Sequence, residues 1–168
     1  MCIRDRSLAD PDLARRFEQM IIEASVDTAL LTFELPQLGL SANEAGASAL
    51  VKRLHGLGCA ITVDHFSISQ ADPGFLKRHP VDCIKIDAGC VEGLTPESPD
   101  VQLLRAVVDL ARGLGMRTAA DGVRDAAVLE LLEDLGFDQV QGSLFADVAS
   151  ASLSTVAASV ATHAERLP

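Results

Sequence analysis

Two hydrophobic periods take turns along this chain: stretches with apolar residues every three to four positions, and short β-branched runs that alternate residue by residue. Helical spacing begins at Asp10-Pro11, a cap followed by proline at the first helical position, and continues through Leu13, Phe17, Met20, Ile21 and Ala24. A strand is predicted over Ala29–Leu35, ended by Pro36. Asn43 caps a helix reaching about Leu57, and Cys59–Phe66 reads as the next strand. A polar loop over 67–72 leads to a short helix at Pro73–Arg78, and Cys83–Asp87 is a third strand. The Gly- and Pro-rich stretch Gly93–Pro99 reads as a surface loop. Asp100–Arg112 is the clearest amphipathic helix, with Val101, Leu104, Val107, Val108 and Ala111 on one face. A strand at Arg117–Asp121, a helix from Asp125 to Leu135, a strand at Gln139–Gln141 and an Ala-rich helix at Ser150–Glu165 complete the series.

Leu57-Gly58, Leu114-Gly115 and Leu135-Gly136 each close a helix with glycine as a left-handed cap, immediately before a strand. Strands alternating with helices imply a parallel sheet. With right-handed connections, such a sheet is either doubly wound or curled into a barrel. No Gly-rich phosphate loop favours the first alternative, and nothing local decides between them.

Charge at the strand ends is what this pattern does not explain. In Cys83–Asp87, Ile84 and Ile86 share one face while Lys85 and Asp87 share the other. A buried lysine and carboxylate each cost several kcal/mol, roughly, unless paired or bound. Glu34 follows Thr32 on one face, Asp64 follows Thr62, Asp121 follows Ala119, and Gln139 and Gln141 flank Val140. The predicted strands therefore all carry polar or charged residues at their carboxyl ends, where α/β barrels build their active sites. Carboxylates converging at an apolar mouth repel, so one must protonate or a cation must join them. Oxygen ligands suit Mg²⁺, Mn²⁺ or Ca²⁺. Lys85 could then orient a metal-bound hydroxide or neutralise a phosphate oxygen. The plainer alternatives are a structural ion pair at Lys85 and acids that merely cap the following helices.

Composition narrows the class. The chain has 168 residues, 48 % of them hydrophobic, with six Phe and neither Trp nor Tyr, which fits one α/β domain with a sizeable core. A formal charge of −10 argues against a nucleic-acid polymer or anionic lipid as partner. The four cysteines form no C-x-x-C pair; Cys59 and Cys83 read as core thiols of a reduced, cytoplasmic protein. No apolar run is long enough to span a bilayer. His55, His79 and His163 read as solvated helix or turn positions. Residues 1–6 resemble a translated sequencing-adapter end, so they are read as a non-native scar, with the domain over 7–168 and the protein continuing upstream.

A set of motifs makes the reading sharper: Ser7-Leu-Ala-Asp-Pro-Asp12; Phe33-Glu34; Leu57-Gly-Cys-Ala-Ile-Thr-Val-Asp64-His65-Phe66; Phe75-Leu-Lys77; Pro80-Val-Asp-Cys-Ile-Lys85-Ile-Asp87; Ala120-Asp121-Gly122-Val123; and Gln141-Gly-Ser-Leu-Phe145. In order and spacing, from Ser7 to about Asp147, the chain resembles the later part of an EAL domain, the bacterial cyclic di-GMP phosphodiesterase family. The resemblance implies a partial TIM-type (β/α)8-like barrel missing its first strands, and hydrolysis of one phosphodiester bond with Mg²⁺ or Mn²⁺. By position it implies Glu34 and Asp64 as metal ligands, Asp121 at a second-metal position beside His65, Lys85 holding the attacking water, and Gln141 and Asp87 as substrate contacts. It further implies cyclic di-GMP as ligand, an upstream signalling domain and a homodimer.

The departures from the family pattern weigh as much. The motif that names the family is absent, and its ligand asparagine would fall at about Cys2. His65 replaces the second residue of an Asp-Asp pair, and Ser67-Ile68-Ser69 replaces a Gly-Thr-Gly loop. Asp121 shortens a glutamate, Arg124 replaces another, and Pro36-Gln37 stands where Thr and Glu are common. The expectation is a divergent domain with weak or lost phosphodiesterase activity. The alternatives are an active two-metal enzyme with an altered second site, or a non-catalytic dimerisation module.

Overall fold

The computed structural model describes residues 10, 12–68 and 73–145. The hexapeptide 1–6, Pro11, Ser69, His163 and the helix expected at Ser150–Glu165 lie outside the described residues. Helix α1 spans Leu13–Ala24. It starts later than Asp10-Pro11 because Asp12 is its N-terminal flank, with no side-chain cap, while the Asp10 carboxylate accepts the Asp12 N–H at 2.9 Å. Ile21 is buried, and Phe17 meets Phe33 edge-on with ring centroids 5.4 Å apart. Met20, expected on the same face, is 61 % exposed instead.

The first strand is also later than expected. The Asp27 carboxylate accepts the Ala29 N–H at 3.0 Å and curls Thr28–Leu30 into a 3-10 turn, so β1 covers Thr32–Pro36. Pro36 ends this strand rather than following it, which the edge position of β1 permits. A short helix α2 (Gln37–Ala42), absent from the sequence reading, precedes α3 (Glu44–Gly56), where the Asn43 side chain accepts the Gly46 N–H at 3.2 Å as expected. Then come β2 (Ala60–Phe66), α4 (Pro73–Arg78), β3 (Cys83–Ile86), α5 (Asp100–Gly113), β4 (Arg117–Ala120), α6 (Ala126–Leu135) and β5 (Gln139–Val140). Gly58, Gly115 and Gly136 have φ of +91°, +73° and +86°, the left-handed closures their sequence positions predict.

All strand pairs are parallel and the sheet runs β1-β2-β3-β4-β5 in chain order. A doubly wound sheet reverses its strand order at a switch point; this one does not, so the barrel alternative holds. Sequential right-handed crossovers lay the helices on one face. The core follows: Phe33, Leu35, Ile61, Val63, Ile84, Ile86 and Ala120 from the strands pack with Leu50, Leu54, Leu104, Val108 and Leu132 from the helices. Cys83 and Ala119 are buried but belong to the opposite face, outside that cluster. Cys59 and Cys83 are buried free thiols, and burial pushes the Cys83 pKa up to about 11. His79 is a correction: it is 8 % exposed, stacked on Phe75 at 4.1 Å, with Nδ1 2.9 Å from the Phe75 carbonyl. Helical spacing from Phe75 folds it under the chain, whereas His55 is exposed as expected.

Two aspartates lock the amino ends of the strands. Asp82 gives its N–H to the Ile61 carbonyl and accepts the Ile61 N–H on its carboxylate at 2.7 Å. Asp138 makes the same reciprocal pair with Thr118, also at 2.7 Å, and accepts the Thr118 hydroxyl at 3.0 Å. Beside β1, an apolar groove of about 450 Å³ runs between α1 and the strand, and Leu30 stands 82 % exposed next to it. No helix among the described residues is long and apolar enough to cross a membrane.

Candidate functional site

The face turned away from the helices is small and polar. Alternation assigns Glu34, Thr62, Asp64, Cys83, Lys85 and Ala119 to it. Near its upper end the Lys85 side chain is 9 % exposed, and its ammonium donates to both Glu34 oxygens, Oε1 at 3.2 Å and Oε2 at 3.3 Å. Burial alone pushes the Lys85 amine down, but Glu34, then Asp64 and Asp121, more than reverse this, and its pKa is raised. Glu34 thus pairs with Lys85 directly, while Asp64 and Asp121 act on it through their charge.

The β2–β3 ladder is broken at this point. Val63 pairs with Ile84 and Phe66 with Ile86, so Asp64 and His65 together oppose Lys85. This is a β-bulge, two residues against one. It lets Val63 and Phe66 both pack into the helix-side core although they are three residues apart, while Asp64 stays on the polar face. His65 absorbs the extra residue with φ of +52°, a left-handed conformation uncommon outside glycine and asparagine. Asp64 Oδ1 accepts the His65 N–H at 2.9 Å.

His65 therefore points outward from the bulge with its side chain 62 % exposed, between two carboxylates. Its Nδ1 lies 2.5 Å from Asp87 Oδ2, and its Nε2 lies 3.6 Å from Asp64 Oδ2. The Asp87 hydrogen bond, aided by the charge of Asp64, raises the His65 pKa against the opposing effects of burial and Lys85. Asp87 itself is held below its ordinary value, first by the Gly89 N–H at 2.8 Å and then by His65. Asp87 follows the last strand residue in an extended conformation, and its oxygens serve the following 3-10 turn and His65.

Asp121 sits just past β4, with Oδ1 accepting the Gly122 N–H at 2.7 Å. Gln141 joins the rim through its backbone, its N–H donating to Ala120 at 2.8 Å and its carbonyl accepting from Val123 at 3.0 Å, while its side chain is exposed. Gly122 and Gly142 are needed here: a Cβ on Gly122 would strike Ala88, and one on Gly142 would overlap the Val123 backbone. Arg124 pairs at 2.6 Å with Glu92 from the preceding loop.

One positioning residue carried no clear signal beyond its place after Pro36. Gln37 is buried, its amide donating to the Ser67 carbonyl at 3.2 Å and its Oε1 accepting the Ser67 N–H at 2.6 Å. It clamps the chain leaving the bulge. Together with α4 it borders a cavity of about 170 Å³ on the helix side, away from Lys85. Among the described residues no group of three His, Cys, Asp or Glu side chains is close enough to hold one ion. Asp64 and His65 stand together, while both Glu34 oxygens are engaged by the Lys85 ammonium, which is a hydrogen-bond donor and not a metal ligand. A pair of protein donors completed by water and substrate phosphate is an ordinary seat for a divalent cation, so oxygen-rich Glu34, Asp64 and Asp121 fit such an ion in chemistry.

A family model described as the EAL domain matches residues 2–147. The chain belongs to the EAL domain family. Among curated proteins, this EAL domain is 28 % identical over 144 residues to the cyclic di-GMP phosphodiesterase PdeR of Escherichia coli, covering 86 % of the chain and 22 % of PdeR. It is 28 % identical over 124 residues to the bifunctional diguanylate cyclase/cyclic di-GMP phosphodiesterase MucR of Pseudomonas aeruginosa, covering 74 % of the chain and 18 % of MucR. The chain thus spans about a fifth of the length of these relatives. Among solved structures it resembles the PaMucR phosphodiesterase in its c-di-GMP complex, with a TM-score of 0.80 and 26 % identity over 85 % of this chain and 64 % of that one. The FimX EAL domain gives a TM-score of 0.79 at 23 % identity, covering 86 % and 58 %, a likeness of fold. The sheet is accordingly part of an EAL-type, TIM-like barrel, in a domain related to those of cyclic di-GMP phosphodiesterases.

Proposed function

We propose that this EAL domain binds cyclic di-GMP through the rim around Lys85 and hydrolyses it weakly, acting mainly as a receiver of the nucleotide. The observation that carries the reading is the buried Lys85 ammonium, held charged by Glu34, Asp64 and Asp121 at the carboxyl ends of parallel strands. A phosphodiester is anionic, so an ammonium fixed at an otherwise acidic mouth gives it one directed contact. The family's divalent ions, Mg²⁺ or Mn²⁺, would be held by Glu34, Asp64 and Asp121 with His65, and when bound supply an activated hydroxide. Lys85 orients the attacking water or neutralises a phosphate oxygen. Gln141 contacts the nucleotide from the next rim segment, and Asp87 acts through His65. Weak hydrolysis is supported by the lack, among the described residues, of a group of three ligating side chains and by the histidine and serines that follow Asp64. The likeness to a MucR complex with c-di-GMP supports the ligand, and the greater length of the curated relatives supports a signalling domain on the same polypeptide.

The test is calorimetry and hydrolysis with the intact protein, cyclic di-GMP and Mn²⁺. Expected are saturable binding and turnover below about 1 per second, the low end of ordinary enzymes. Lys85→Ala should weaken binding by about tenfold, the loss of one charge-assisted contact. Fast turnover abolished by Lys85→Ala would overturn the weak-activity reading, and absence of binding would overturn the ligand.

A further inference from the structure

We infer that Gln37 is a positioning residue for the rim, its side-chain amide serving as the last rung of the β1–β2 ladder. An ionised carboxylate at this position cannot do the same. The inference rests on reading the rim around Lys85 as a cyclic di-GMP site and concerns what keeps that site assembled.

The backbone ladder runs out where the bulge begins. Pro36 stands opposite Asp64, and a proline has no N–H to donate across the sheet. The chain then turns into α2, so β1 offers no further residue to pair with the end of β2. Gln37, only 5 % exposed, supplies the missing rung with its side chain. Its Oε1 accepts the Ser67 N–H at 2.6 Å and its Nε2 donates to the Ser67 carbonyl at 3.2 Å. Both main-chain groups of one residue are thereby engaged, as a neighbouring parallel strand would engage them. Pro36 and Gln37 thus pin Asp64 and Ser67, and the bulge, with His65 at φ of +52°, lies between the two ties. The side-chain period of a strand is two, so a slip of one residue here would carry Asp64 off the polar face.

Both polar atoms of the amide are needed. A glutamine accepts and donates at once, whereas an ionised glutamate only accepts. Facing the Ser67 carbonyl, a carboxylate would set two acceptors against each other in a buried place. Protonation restores a donor, and burial raises the pKa of such a carboxyl, so the clasp would re-form as pH falls. The sequence departs from the family pattern at both 37 and 67–69, and the two departures meet in this one contact.

The experiment combines amide NMR with calorimetry, using cyclic di-GMP and Mn²⁺, on the intact protein and its Gln37→Met and Gln37→Glu variants between about pH 7.5 and 5. Charged groups around the amide are Glu44, paired with Arg78 at 2.7 Å, and Asp64 and His65 of the bulge. Ratios of variant to wild type at each pH cancel their own titration. In the unmodified protein, the Gln37 side-chain NH₂ should exchange at least about tenfold more slowly than that of exposed Gln102, a readout that needs no variant to fold. Gln37→Met should speed exchange of the Ser67 N–H, and of the His65 N–H held by Asp64, by about tenfold each. It should also weaken nucleotide binding by about tenfold. Gln37→Glu should match Gln37→Met near neutrality and approach wild type as pH falls. A Gln37→Glu protein equal to wild type at neutral pH, a Gln37 amide that exchanges freely, or a His65 N–H unmoved in Gln37→Met would overturn the inference, leaving a local tie to Ser67. Amides that respond as expected in a protein that binds no nucleotide would count against the functional reading alone. Nucleotide binding indifferent to Gln37→Met would count against this inference alone.

Discussion

The two ends of the same strands use the same side chain for opposite purposes. At the amino ends, Asp82 and Asp138 each close a reciprocal pair with a neighbouring strand, so every charge has a backbone partner that sets register. At the carboxyl ends, Glu34 pairs with the Lys85 ammonium, and the charges of Asp64 and Asp121 add to its effect. That upper arrangement is overcharged by carboxylates, and nothing about register requires it. In barrel enzymes the lower face carries stability and the upper face carries chemistry. Here the acids below hold strands together through hydrogen bonds, whereas above one acid pairs with the ammonium and two more act on it through their charge.

Substitutions at the two ends should therefore move stability in different directions. The largest effect belongs to Asp138→Ala, which strips both the N–H and the hydroxyl of buried Thr118 of their acceptor. Urea unfolding should show a loss of about 3 kcal/mol, with ion and nucleotide affinity unchanged. A neutral result would mean that the lower clasps are ornamental and the comparison fails.

A second handle is alkaline pH. The Cys83 thiol lies on the polar face, and burial lifts it from 9.0 to about 11. A raised acid favours its protonated folded form, so this contribution is complete below pH 9 and is lost as pH rises towards 11. Stability should fall by roughly 2–3 kcal/mol across that window, and Cys83→Ala should flatten the profile. A wild-type profile as flat as that of the variant would show that the face admits water freely.

Smaller and of opposite sign is Asp121→Asn at the upper end. The amide oxygen still accepts the Gly122 N–H, while one of the crowded charges disappears. The midpoint of unfolding should stay level or rise by up to about 1 kcal/mol, although divalent-ion affinity falls. A clear destabilisation would show that this acid is structural after all. The smallest effect is chemical: among the described cysteines, iodoacetamide should modify exposed Cys90 in the native protein before buried Cys59 or Cys83, as peptide mapping would reveal.

How much of this could be read from the residues depends on how local each feature is. The buried face of α5 is the predicted set, Val101, Leu104, Val107, Val108 and Ala111, because a long helix repeats its signal over several turns. Asn43 and Asp125 cap helices as their positions suggest. Helix α2 escaped because six residues give no period to detect, and β1 was placed too early because Asp27 diverts Thr28–Leu30 into a turn. At the rim, alternation grouped Glu34, Asp64 and Lys85 correctly. Asp87 lies one residue past the strand, which stops at Ile86, and there its oxygens are engaged by the Gly89 N–H and by His65, neither of which alternation could name. The bulge was invisible because the residue that takes the left-handed turn is a histidine and not a glycine. The clasps of Asp82 and Asp138 depend on which strands are neighbours, which no local pattern encodes.

The bare backbone contact between Gly142 and Val123 has a consequence for how variation at this rim should be interpreted. In a saturation library, tolerance would drop abruptly from codon 141 to codon 142, since every coding change at the second adds a carbon where there is no room. A glycine that resists replacement beside a candidate nucleotide contact would then testify to two chain segments touching, and the freedom of its neighbour would be the better gauge of ligand recognition.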